Sequence, residues 1–365
     1  MITFAADFNN LEQLLFMRFL YLLVFLCCTV LSPVCAYAQD ADRKEDPSLR
    51  IRFEARFDGE LTTFGEDDLT GVKPENQTGF AGRYIWLAAD GHINDKFSYN
   101  FRHRLYLDAG ANRSLFNATD WANVTWHAND KFTVTAGKQM VCIGTIEYDY
   151  SPMDVFFASD FWNHISPFQI GVNVGFAPNK NNQFYAQVVN SPFTTKAMEG
   201  LYAYNLMWYG NVASWLNTIY SVNLMEYNKG DFINYIALGH KIRPAKGLAI
   251  DLDYMNRYAG KGTAFFEDFS LHGKVAVDVS PTVTLFAKGG YDVNKAQQAG
   301  VDFMYDRCVM PGVDLGFYGA GIEYYPVKKD KHSLRFHAFW CSSTANPVPQ
   351  TFNVGLKWQM KVLDR

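Results

Sequence analysis

The chain has 365 residues, 48% of them hydrophobic, and a formal net charge of −4. That charge excludes the basic footprint of a nucleic-acid binder. With 27 glycines, 13 prolines and 16% aromatic residues, the composition suits many strands and turns rather than long helices.

In chain order, the first feature is a targeting segment. Met17-Arg18, the apolar run 19–31 and Ala36-Tyr37-Ala38 are the three parts of a secretory signal peptide, with cleavage after Ala38. Residues 1–16 have no place in that scheme, so Met17 is the expected start. The competing reading, a retained anchoring helix, meets a run that is short for a span. Removing residues 1–38 takes away Asp7, Glu12 and Arg18, a net −1, and leaves 327 residues (365 − 38) near −3 (−4 minus −1). Cys142, Cys308 and Cys341 remain, an odd set that is neither a disulfide framework nor a metal spacing. Residues 39–47 read as a polar tail.

The stretch SLRIRFEARF (48–57) then puts Leu49, Ile51, Phe53, Ala55 and Phe57 on one face of a strand and Arg50, Arg52, Glu54 and Arg56 on the other. The alternation recurs at 169–178, 248–257, 269–279, 333–340 and 351–362. The last places Phe352, Val354, Leu356, Trp358, Met360 and Val362 against Asn353, Lys357, Gln359 and Lys361. Turn signals separate the runs. About sixteen strands are predicted, starting near residues 48, 78, 95, 118, 131, 168, 182, 201, 214, 231, 247, 265, 282, 314, 332 and 350.

Every second connection is mostly longer: 64–77, 109–117, 140–167, 191–200, 258–264, 293–313 and 343–349. Long loops at one end and tight turns at the other are the habit of an outer-membrane barrel. The predicted fold is therefore all-β, a transmembrane antiparallel barrel over 48–365, with its oily face on lipid and its charged face on a water-filled lumen. Tyr84, Trp86, Trp340 and Trp358 are assigned to the lipid face near strand ends. A secreted β-sandwich or adhesin is the alternative. About sixteen strands would leave an aqueous channel.

The connection 139–167 follows the fifth strand and is long for a structureless loop. It combines aromatic residues with Glu147, Asp149, Asp154 and Asp160. The functional reading is a loop folded into the pore, aromatics on the wall and carboxylates narrowing the passage. The alternative is an external flap or a contact between subunits. Inward positions of the first strands supply Arg50, Arg52, Arg56, Arg102 and Arg104, with Arg83 also a candidate. The last two add Arg335, Lys357 and Lys361. Closure makes these one basic face. Asp251, Asp253, Asp268 and Asp278 would lie across the lumen, partly offset by Lys274 and Arg257. Such a pair of walls makes a transverse field with two water-lined lanes.

Gly137-Lys138-Gln139, Gly144, Glu147-Tyr148-Asp149 and Pro152-Met153-Asp154 resemble the corresponding segment of the phosphate-selective porin O/P family, in its Bacteroidetes-type branch. The resemblance extends to GVNVGFAP and the closing strand. It implies a sixteen-stranded trimeric porin whose third external loop, with Lys138 at its root, narrows the channel. Two features depart from the family. The chain ends Val362-Leu363-Asp364-Arg365 rather than on an aromatic residue, and the loop is acidic where phosphate-specific members are rich in Arg and Lys.

Cys142 and Cys308 are both expected in external loops, as a disulfide or as two separate thiols. The eight histidines are scattered without metal or triad spacing, so no catalysis and no cofactor is expected. The expected function is passive diffusion of small hydrophilic solutes through an outer-membrane porin, a homotrimer in contact with lipid and no nucleic acid. The alternatives are an anion- or phosphate-selective porin and a surface adhesin barrel.

Overall fold

The computed structural model describes residues 48–105, 115–159, 161–162, 165–194, 198–259, 268–294 and 314–364. The signal peptide and most of the tail assigned above fall outside them, as do Asp160, Cys308 and the side chain of Asp268.

Sixteen strands form one closed antiparallel barrel. They are β1 (Arg50–Phe64), β2 (Gln77–Asn94), β3 (Phe97–Arg104), β4 (Thr119–His127), β5 (Phe132–Met140), β6 (Phe168–Asn179), β7 (Asn182–Asn190) and β8 (Tyr202–Ala213). The ring continues with β9 (Leu216–Asn228), β10 (Asp231–Ala245), β11 (Leu248–Ala259), β12 (Asp268–Ser280), β13 (Val283–Asn294), β14 (Asp314–Tyr324), β15 (Leu334–Ser343) and β16 (Pro349–Asp364). Each starts within three residues of its expected position; the largest difference is at β12, expected at 265 and beginning at Asp268.

Each strand pairs with its neighbours in sequence, and β1 pairs with β16 to close the ring. In that closing register Arg56 lies beside Lys357 and Arg52 beside Lys361, so the first and last strands share one charged inner face. The tight turns reuse one device. The side chains of Asn94, Asn129, Asn179 and Asp330 each accept a backbone N–H two residues on, holding the chain in an Asx turn.

The outward face follows the alternation. Val172, Val174, Val222, Val275, Val277, Phe352, Val354 and Trp358 are all exposed on it. Two aromatic assignments are corrected. Trp86 is 1% exposed and, with Tyr84, lines an interior cavity. Cross-strand partners share a face, and the register pairs Trp86 with Glu54 and Tyr84 with Arg56, both inward residues. A register shift between Arg56 and Phe57 leaves Arg83 as the extra residue of β2, which reverses the parity expected for this strand.

Candidate functional site

After β5 the chain turns inward rather than looping away. Val141, Ile143 and Tyr148 pack in one apolar cluster with Val189 of β7, Ala203 of β8, Met225 of β9, Ile233 and Tyr235 of β10, and Met255 of β11. A second cluster joins Ile146 to Met207 and Ile219. These strand residues lie at inward positions, so β7–β11 present apolar side chains to both faces.

Polar rungs fix the backbone of the same segment. Gln187, Asn205 and Asn223 form a row across β7, β8 and β9: Asn223 donates to Asn205 at 2.7 Å and Asn205 to Gln187 at 2.9 Å. Gln187 accepts the N–H of Cys142 at 2.9 Å, and Asn223 donates to its carbonyl at 2.6 Å. Gly144 donates to Ser221 Oγ at 2.8 Å. A Cβ at Gly144 would lie 2.5 Å from the backbone of Ser221, so only glycine allows this approach. Ile146 and Glu147 form the first turn of a short helix (Ile146–Asp149) capped by Thr145. Their N–H groups donate to Asp253 at 2.6 and 2.9 Å.

Glu147 is buried at 6% exposure and accepts from Lys288 and Ser159, with His272 Nε2 3.3 Å away. Burial alone would raise its carboxyl, but the cations of Lys288 and His272 outweigh that and hold it at about 2. His272 Nε2 also lies 3.1 Å from Asp253.

The segment then meets strands from another part of the ring. Arg56 donates to the carbonyl of Val155 at 2.9 Å and Arg335 to that of Met153 at 2.7 Å. Asp154 is held by Arg335 at 2.6 Å and Lys357 at 2.9 Å. Burial opposes its ionisation, yet these two cations keep its carboxyl at about 2. Phe156 stacks on Phe286 and lies tilted against His337, with the guanidinium groups of Arg56 and Arg335 over its ring. Three basic-face residues are therefore bonds to the segment rather than open charge. Asp149 remains exposed, accepting from Tyr209 at 3.1 Å.

The other arginines each find a carboxylate on the wall. Asp90 accepts from Arg52 at 2.7 Å and Arg50 at 3.4 Å. Asp58 pairs with Arg56 at 2.7 Å and His337 at 3.0 Å. Asp120 takes both Arg102 at 3.0 Å and Arg104 at 2.9 Å. Arg102 is further sandwiched between Trp86 and Trp121, 4.0 Å from each ring. Lys138 is buried at the end of β5 and lines the same cavity.

Most of the acidic wall is turned from open water, and Asp278 alone of its described members stays exposed, with Lys331 3.7 Å away. Asp253 is 2% exposed and serves the segment, and Asp251 is bonded to Tyr150 and Arg243. The expected second lane on that side is filled. Cys142 is not in an outward loop either: it is buried, unpaired and pushed up to about 12 by burial. Among the described residues no group of three His, Cys, Asp or Glu could hold a metal ion.

The sequence reading missed Gln187, Asn205, Ser221, Asn223, His272 and Lys288. Their one signal was position, since all six fall on the inward parity of strands whose other parity is apolar.

Two large cavities flank the segment, and a small one of about 30 Å³ lies between it and β11–β13. One of about 1090 Å³ touches β2–β5 and residues 148–152, and one of about 910 Å³ touches the start of β1, the end of β16 and the turn before β15.

A family model described as phosphate-selective porin O and P matches residues 63–252, just over half the chain. No curated protein sequence matches. Among solved structures, the outer membrane channel DcaP of Acinetobacter baumannii is similar with TM-score 0.61 at 10% identity, over 88% of this chain and 100% of that one. An anion-selective porin from Comamonas acidovorans gives 0.58 at 9%, over 86% and 100%. OmpT of Vibrio cholerae in its trimer form gives 0.54 at 12%, over 86% and 100%.

Proposed function

The chain belongs to the phosphate-selective porin O and P family, and we propose that it is a weakly selective diffusion porin whose channel is narrowed by the segment 141–159. It is a porin of the bacterial outer membrane. Its apolar outer face meets lipid, and small hydrophilic solutes cross by diffusion without catalysis or energy coupling. The segment's bonds to β9 and β11 on one side and to β1, β15 and β16 on another support its role as the constriction. The same bonds speak against an adhesin, which needs these residues displayed outward. A homotrimer is the proposed assembly, in line with the trimeric OmpT structure.

One observation carries the weak selectivity. Arg50, Arg52, Arg56, Arg102, Arg104, Arg335 and Lys357 all have a carboxylate within hydrogen-bonding or ion-pair reach, so the basic face presents little net charge to a passing ion. A phosphate filter needs cations free to replace the anion's water. The second reading, anion preference, is favoured by Lys329 and Lys361, which line the inner cavity, and by the similarity to the anion-selective porin.

Single-channel recording in planar bilayers under a KCl gradient decides between them. The expected result is steady conductance with a small reversal potential and no block by added phosphate. Strong anion preference with phosphate block would replace this reading with the second. No conductance would end both.

A further inference from the structure

We propose that solutes pass the segment on one side only, through a neck between Ser151 and the Glu54–Trp86 rung, and that Glu54 sets the charge preference of this neck. The inference deepens the porin reading and rests on it.

The two large cavities share one lining residue, Ser151. Above it, the outer chamber is bounded by Tyr84, Trp86 and Arg104. Below it, the inner chamber is bounded by Arg52, Glu54, Lys357 and Lys361. Glu54 and Trp86 are register partners on neighbouring strands, so the wall opposite Ser151 is continuous from one chamber to the other. On its other flank the segment is packed against β7–β11 by the two apolar clusters, and the cavity it leaves against β11–β13 is only about 30 Å³ among the described residues. A solute crossing the barrel therefore goes by Ser151.

Glu54 differs from the other carboxylates that line the chambers. Asp120 holds two arginines, Asp149 accepts from Tyr209, Asp154 holds Arg335 and Lys357, and Asp330 caps its own turn. Among the described residues Glu54 alone of these has no hydrogen bond or ion pair. The arginines on either side of it in the strand, Arg52 and Arg56, are bonded to Asp90 and Asp58. A carboxylate with no bonded partner, its nearest charge effect being a longer-range one with buried Arg102, acts on whatever ion is passing a narrow water path. It repels anions and offers an acceptor to hydroxyl or ammonium groups of a solute.

The test is bilayer recording on three variants. Glu54→Gln is expected to shift the reversal potential toward that of chloride, raising the anion-to-cation permeability ratio by about 2-fold, while Glu54→Asp stays like the parent. Ser151→Cys, in a chain whose other cysteines apart from buried Cys142 are serine, is expected to lose more than about half its conductance on labelling with a bulky methanethiosulfonate reagent. Unchanged current after verified labelling, or a Glu54→Gln channel with the parental reversal potential, would overturn the inference while leaving the porin reading intact. If Glu54→Gln fails to insert, the labelling result decides alone. Absence of current from the parent protein would bring down the porin reading, and the neck with it.

Discussion

The wall made of β7–β11 and the wall made of β16, β1, β2, β3 and β4 enclose the same lumen with opposite chemistry. The first offers Val189, Met225, Ile233, Tyr235 and Met255 inward and is dry, covered by the segment 141–159. The second offers arginines, each neutralised by a neighbouring carboxylate, and borders both large cavities. Under the proposed function, one wall positions the constriction and the other guides the solute. An inward apolar side chain in a porin strand is therefore a mark of something packed on it, whereas an ion pair closed within the wall, such as Arg104 with Asp120, borders the open chamber.

This contrast can be broken most strongly at Asp253. Asp253→Ala removes the acceptor for two buried N–H groups and the neighbour of His272, and is expected to cost about 3–5 kcal/mol. Denaturant unfolding in detergent would read the loss, and bilayer currents should turn larger and noisier as the segment detaches. A parental midpoint would show that the apolar clusters hold the segment unaided.

Met225→Ala comes next, at about 2–4 kcal/mol for a fully buried side chain. On the same strand, outward Val222→Ala should change the midpoint by less than about 1 kcal/mol in detergent. Arg104→Gln on the wetter wall, whose partner Asp120 keeps Arg102, should also stay within about 1 kcal/mol. Equal costs at Met225 and Arg104 would erase the distinction between the walls.

Acidification probes a single tie of the segment. The carboxyl of Glu147 is held at about 2 against an ordinary 4.5, so its tie to Lys288 is fully present above 4.5. That stabilisation is lost as pH falls from 4.5 toward 2. The unfolding midpoint should decline through this window, and Glu147→Gln should flatten the decline. A Glu147→Gln curve as steep as the parent's would assign the effect to other groups.

Most of the barrel was legible in the sequence because the strand period is two and the turns carry Asn, Asp and Gly. The alternation of 48–57 and 351–362 agrees with the burial of these strands, where Arg56, Asn353 and Lys357 are buried and Phe57, Phe352, Val354 and Trp358 are exposed. β2 was misread because FAGRYIWLAAD is apolar at both parities, and the extra residue Arg83 shifts the register in mid-strand. The site was half legible. Length, aromatics and acids marked 139–167, but the carboxylates' use depends on partners far away in the chain. Asp154 meets Arg335 and Lys357, and Glu147 meets Lys288, pairings set only by closure of the ring. The readable clue was β10, where Ile233, Tyr235 and Ala237 alternate with Phe232, Ile236 and Leu238, and Asn234 is the one polar residue between 232 and 238. A strand of that kind has no reason to border water on either side.

The double attachment of the segment has a mechanical side. A ring of sixteen strands with an empty bore flattens easily, since each ladder between neighbours is a shallow hinge. Here a crossbar is bonded to Asp253 and Ser221 at one end and to Arg56, Arg335 and Lys357 at the other. The section cannot become oval without stretching charge-assisted hydrogen bonds in a poorly hydrated interior. The segment is thus a strut, and under the proposed function the bore it narrows is also the bore it keeps round when the surrounding bilayer presses sideways.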